Sequence, residues 1–218
     1  QNVIAECCRI IGAFVSPNEW LQVLLDMCGS GNESHTKAGA LIVIAECAAG
    51  ASATALEEKT TDVDKIETTL VDKTLRAVCD VGIHGSQDTS LRVAVCRFVA
   101  TLLTEQPETW GVKCRTAVLV GAALRAAQTG GDFSVTEKSL EQRACSSAMK
   151  AAASALGISD DDESSESLQC SDAVITALRS ELLEPLTALP PKQWRLSDAA
   201  VLAAVVSAKG GEDKFSKQ

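Results

Sequence analysis

Cysteine and histidine are the residues here whose chemistry comes most readily to mind. Nine cysteines stand at Cys7, Cys8, Cys28, Cys47, Cys79, Cys96, Cys114, Cys145 and Cys170, with two histidines, His35 and His84. A metal centre needs three or four such side chains at ligand spacing. No C-x-x-C pair occurs, and neither His has a Cys or His partner at that spacing, so no metal is expected. His84 falls near the end of a predicted helix, where it meets the C-terminal carbonyls favourably. Nucleophilic catalysis needs a thiol, a base and an orienting group in mutual reach. Cys7-Cys8 and Cys79 are conspicuous, but Cys79 and His84 lie on opposite sides of a helix end. Neither the phosphate loop G-x-x-x-x-G-K-[ST] nor the fingerprint G-x-G-x-x-G is present, and Gly130-Gly131 reads as a helix stop. The expectation is a protein with no catalytic residue, no cofactor and no small-molecule substrate.

The thiols speak instead about compartment. Their number is odd, and most fall inside apolar helical patterns, where free Cys behaves as a small hydrophobe. That usage predicts reduced thiols in a cytoplasmic protein. No signal peptide is visible in these 218 residues. The longest charge-free apolar runs, such as 199–208, fall short of the roughly 18 residues a membrane span needs. The chain of 218 residues carries 20 Lys+Arg against 29 Asp+Glu, a formal net charge of −9. That acidity argues against nucleic-acid binding. The 46 % hydrophobic content argues against wholesale disorder and suffices for one large domain or two small ones.

Helices must position whatever the chain presents. Leu91, Val95, Phe98 and Leu102 repeat with the spacing of one helix face, as do Leu70/Val71, Leu75 and Val78, and later Leu178, Leu182 and Leu186. Sustained alternation of period two is absent, so no strand is predicted. Ser16-Pro17-Asn18-Glu19 reads as a capping box with Pro at the first helical position, and Ser134-Val135-Thr136-Glu137 repeats that logic. The predicted helices span about 2–14, 17–28, 35–49, 64–82, 88–104, 107–128, 136–156, 168–187 and 197–208. They pair. First members begin near Pro17, Asp64, Pro107 and Leu168, at spacings of 47, 43 and 61 residues. The first two lie close to the period of about 40–47 of HEAT and armadillo repeats. Pro17-x-x-Trp20 and Pro107-x-x-Trp110 mark equivalent starts, and Pro191-x-x-Trp194 is a further helix-start signature. Leu41-Ile42-Val43-Ile44 and Val118-Leu119-Val120 make their helices apolar nearly all round, and stacking of neighbours would cover them.

Asp88, Leu91-Arg92, Ala94 and the run from Val95 to Leu102 resemble the second helix of a HEAT unit. The resemblance implies an all-α, right-handed α-solenoid of HEAT-like hairpins, about four pairs plus a preceding helix. It would occupy 1–208, with an acidic insertion at 158–167 and a polar tail at 209–218. Because Gln1 leads straight into an apolar helical pattern, the expectation is the C-terminal part of a longer protein. A narrower resemblance covers residues 3–105. Arg9-Ile10-Ile11-Gly12-Ala13-Phe14-Val15-Ser16-Pro17, Trp20, Leu24-Leu25, Ala40-Leu41-Ile42-Val43-Ile44-Ala45 and Gly50 look like the HEAT-repeat assembly factors of axonemal dynein arms. That likeness implies a cytoplasmic scaffold without enzymatic activity, with dynein chains and chaperones as protein partners. A HEAT-type transport receptor or phosphatase scaffold is the alternative. HEAT-like DNA glycosylases form a third class, disfavoured by the acidity.

Two surfaces are the candidate contacts. In HEAT solenoids second helices line the concave side, and Arg92, Arg143 and Lys150 fall on predicted second helices as a partner-binding ridge. Ser159-Asp160-Asp161-Asp162-Glu163-Ser164-Ser165-Glu166-Ser167 holds five acids in nine residues and no base. Such a segment should be solvated, with Ser159 open to phosphorylation and Asp160, Asp161, Asp162 and Glu163 to electrostatic contact. Deleting 159–167 should leave the melting temperature nearly unchanged.

Overall fold

The computed structural model describes residues 3–29, 31–61, 67–83, 88–128, 135–158 and 177–178. Helix α1 (Val3–Phe14) is followed by α2 (Pro17–Cys28), α3 (Ser34–Gly50) and a single turn, α4 (Ala53–Leu56). Two short strands come next, β1 (Lys59–Thr61) and β2 (Glu67–Thr69). Then follow α5 (Leu70–Ile83), α6 (Thr89–Glu105), a second single turn α7 (Pro107–Trp110), α8 (Lys113–Gln128) and α9 (Val135–Ala155). The described chain is all-helical apart from that ribbon. The predicted helices at 168–187 and 197–208 and the polar tail at 209–218 lie outside the described residues, save for 177–178.

Three local predictions need correction. The expected helix over 64–82 starts only at Leu70, because the residues before it pair as an antiparallel ribbon in which Lys59 faces Thr69, Thr60 faces Thr68 and Thr61 faces Glu67. The β-branched threonines favour extended backbone. Thr69 also makes the capping box that the sequence reading missed. Its amide and hydroxyl donate to the Asp72 carboxylate at 3.2 and 3.0 Å, and the Asp72 amide donates back to the Thr69 hydroxyl at 3.1 Å. At Ser16, by contrast, no side-chain cap forms, although Pro17 does occupy the first turn of α2. The predicted helix over 107–128 is broken at Gly111. There the amide of Gly111 closes the α7 turn on the Pro107 carbonyl at 2.7 Å. The carbonyls this break leaves over are taken by Arg115, which donates to Thr109 at 2.6 Å, and by the Thr116 hydroxyl, which donates to Trp110 at 3.2 Å.

Packing falls into two rows. Helix α3 lies between α1 and α6, and α6 lies between α3 and α9. Alongside, α5 touches both α2 and α8. The rows meet where α2 packs on α3 and where α8 packs on α6 and α9. One hydrophobic cluster runs through both, from Cys8 through Leu21, Leu41, Ile44, Val71, Phe98, Leu102 and Leu119 to Met149, and takes in Leu178. Trp20 and Trp110 are 8 % and 0 % exposed, so both serve the core. Trp194 lies outside the described residues.

Alanine and glycine set how near the helices come. A Cβ on Gly12 of α1 would sit 1.8 Å from the Cys47 carbonyl oxygen of α3. One on Gly50 would sit 2.0 Å from the Arg9 carbonyl oxygen. Backbone meets backbone at this crossing, which no side chain would permit. Ala148 and Ala152 on α9, both 0 % exposed, likewise allow close approach where α9 packs on α6 and α8.

Candidate functional site

Helix α1 turns its apolar stripe outward. Val3, Ile4, Ile10, Ile11 and Phe14 are 75, 68, 51, 43 and 86 % exposed. With exposed Cys7 they follow the 3–4 spacing of one helix face. The opposite side, with buried Cys8 and Gly12, lies against α3. A helix normally buries its apolar stripe, and a contiguous exposed apolar face marks an interaction surface. The sequence shows an apolar helical pattern directly after Gln1. The pattern identifies the stripe but not the side on which a neighbour lies.

Ion pairs fix α1 to the stack. The Arg9 Nε donates to Glu46 of α3 at 2.9 Å, and Nη2 donates to Glu105 at the end of α6 at 2.8 Å. The Glu46 bond is the chief cause holding the Arg9 pKa above its ordinary value. Arg115 similarly joins Glu57 at 2.6 Å. Exposed pairs contribute little singly, but two carboxylates on one guanidinium restrict the same side chain.

The expected basic ridge comes apart in the structure. Arg92 is 1 % exposed, so it cannot face a partner as predicted. Its guanidinium donates to the Glu141 carboxylate of α9 through Nε and to the Thr89 hydroxyl at 3.0 Å through Nη2. A charge this deep in the fold is tolerable only when paired and hydrogen-bonded. Asp88 completes the cluster as N-cap of α6, accepting from the Ser90 amide at 2.8 Å and the Ser90 hydroxyl at 2.7 Å. Those bonds to Ser90, helped by the nearby Arg92 charge, hold the Asp88 carboxyl below its usual 3.8. Arg143 is exposed and Lys150 half-buried, both on α9. Ser159, Asp160, Asp161, Asp162 and Glu163 lie outside the described residues.

The cysteines fall into distinct environments. Cys8 and Cys47 meet across the α1–α3 crossing. Burial raises both thiols, with Cys47 pushed up to about 12. Burial likewise takes Cys28 to about 11. These thiols stay protonated at neutral pH and act as packing groups. Cys96 of α6 and Cys145 of α9 form a second cross-helix pair in which the Cys96 S–H lowers the Cys145 pKa and Cys96 itself is raised. His35 is exposed, 3.3 Å from Glu33. His84 and Cys170 lie outside the described residues. Among the described residues no three His, Cys, Asp or Glu side chains are grouped as a metal ion would require. Among them, too, no helix is long and apolar enough to cross a membrane. Scans against protein-family models, curated proteins and solved structures returned no match to this chain.

Proposed function

We propose that this chain is a protein-binding scaffold: a right-handed HEAT-type α-solenoid that engages other proteins through the outward face of α1. The observation that carries the reading is the apolar stripe Val3, Ile4, Ile10, Ile11 and Phe14, left uncovered on a helix that Arg9 ties to α3 and α6. Rigid presentation of an apolar face suits the docking of a further helix, from another protein or from a preceding repeat of a longer chain, since the face is already ordered before binding. The two-row packing supports a solenoid rather than an up-and-down bundle, because helices of one row follow each other at every second long helix. The sequence likeness over 3–105 supports the finer form, a cytoplasmic factor in the pre-assembly of axonemal dynein arms. In that form it holds partly assembled dynein chains beside chaperones, without enzymatic activity of its own. Arg143 is the member of the basic set best placed to add an electrostatic contact.

The test is affinity capture from ciliated cells with the full chain and with an Ile10→Asp/Phe14→Asp variant. Dynein heavy or intermediate chains recovered by the first and lost with the second, at unchanged helix content, support the proposal. Transport cargo or a phosphatase catalytic subunit in their place replaces the dynein form while keeping the scaffold. Equal recovery of every partner by both chains removes α1 as the docking face.

A further inference from the structure

The seam between α6 and α9 carries two polar rungs one helical turn apart. Arg92 and Cys96 are four residues apart on α6, and Glu141 and Cys145 are four apart on α9. Arg92 pairs with Glu141, and one turn further on both helices the Cys96 and Cys145 thiols lie within hydrogen-bonding reach. Equal steps on both helices mean that they run in the same direction along the seam, with the buried ion pair fixing their register. Cys96 is 1 % exposed, and the Ala123 carbonyl of α8 at 3.6 Å is a second acceptor for its single S–H. Cys145 is half-buried, where Cys96 is fully enclosed. The small residues Ala144, Ala148 and Ala152 of the same helix are buried, and small side chains on α9 favour the short Cβ separation a disulfide requires.

We propose that Cys96 and Cys145 are a redox-modification site, at which a low-molecular-weight disulfide such as oxidised glutathione converts the dithiol into a covalent staple between α6 and α9. The Cys145 thiolate attacks one sulfur of the glutathione disulfide. A Cys145–glutathione bond forms, the reagent's sulfur–sulfur bond breaks, and the departing glutathione takes up the proton Cys145 has lost. Cys96 then attacks the Cys145 sulfur. The Cys96–Cys145 bond forms as the bond to the second glutathione breaks, and that glutathione leaves as a thiol with the Cys96 proton. Two protein thiols are oxidised, one small disulfide is reduced to two thiols, and nothing else is consumed. Cys145 attacks first because it is the less buried of the two thiols and because the Cys96 S–H favours its thiolate; the nucleophile in such exchange is the thiolate. The Cys8–Cys47 pair has no such member, since both thiols are buried and both are raised.

The full chain, freshly reduced, is equilibrated with glutathione buffers of rising oxidised fraction, quenched with a thiol alkylator, digested and mapped by mass spectrometry. A linked Cys96–Cys145 peptide is expected, reversed by dithiothreitol, with a rise in melting temperature on oxidation. In Cys96→Ser, Cys145 should stop at the glutathione adduct. Free, alkylated Cys96 and Cys145 at every buffer ratio would overturn the site, and so would a wild-type chain carrying glutathione on Cys145 without the link. Mapping of the wild type depends on no variant being able to fold.

Discussion

Arg92 shows how little a side chain's type says about its place. As the positive member of a HEAT-like aliphatic–Arg pair it reads as surface, yet it is buried against Glu141. Removing Glu141 takes a carboxylate partner from a buried guanidinium, so Glu141→Ala should cost about 3–5 kcal/mol in chemical denaturation. Replacing both residues by apolar ones, Arg92→Met with Glu141→Leu, should recover most of that loss. If the double variant is no more stable than the single one, the pair is not the reason for the cost. Asp88 gives a milder case. Loss of its cap in Asp88→Ala should cost about 1 kcal/mol. Its folded pKa is depressed below 3.8, so its contribution is complete above the unfolded carboxylate range and is lost as pH falls through the folded value. Asp88→Asn should keep the cap near neutrality and flatten the acid limb of the stability curve below about pH 4. A pH series of melting temperatures on the two variants separates cap from charge.

At the scale of elements, neighbours decide what a residue costs. Gly12 and Gly39 are both glycines in helices, where glycine is intrinsically about 0.5–1 kcal/mol worse than alanine. A Cβ on Gly39 would meet nothing within 4 Å, whereas one on Gly12 would collide with the Cys47 carbonyl. Gly39→Ala should therefore stabilise the chain by about 0.5–1 kcal/mol. Gly12→Ala must drive α1 off α3 and should destabilise by at least about 1–3 kcal/mol. Equilibrium unfolding of the two variants checks the opposite signs. The ribbon before α5 makes a similar point. Thr60, Thr61, Thr68 and Thr69 carry extended propensity, but only their mutual pairing makes strands of two three-residue segments.

For the whole molecule, the α1 face and the core should respond differently to the same chemistry. Ile10→Asp and Phe14→Asp change residues that are 51 and 86 % exposed, so each should shift stability by less than about 0.5 kcal/mol while abolishing partner capture. Charge reversal follows the same division. Arg143→Glu on the exposed side of α9 should weaken capture and leave unfolding unchanged, while Arg92→Glu should unfold the seam. Circular dichroism melts run beside the capture assay distinguish the two.

Much of the architecture was legible before any coordinates. The 3.6-residue periodicity located every long helix among the described residues, because an apolar stripe has to be repeated along a helix to be buried. Pro17 and Pro107 marked boundaries because their backbone chemistry is local. What only the tertiary structure decided is which stripe remains uncovered and which charge is enclosed. Arg92 and Glu141 stand 49 positions apart, Arg9 and Glu105 stand 96 apart, and Cys96 meets Cys145 across the same seam. Local spacing carries no trace of such pairings, since they follow from the way successive helices stack, and stacking is settled by the sum of many small packing contacts distributed along the chain.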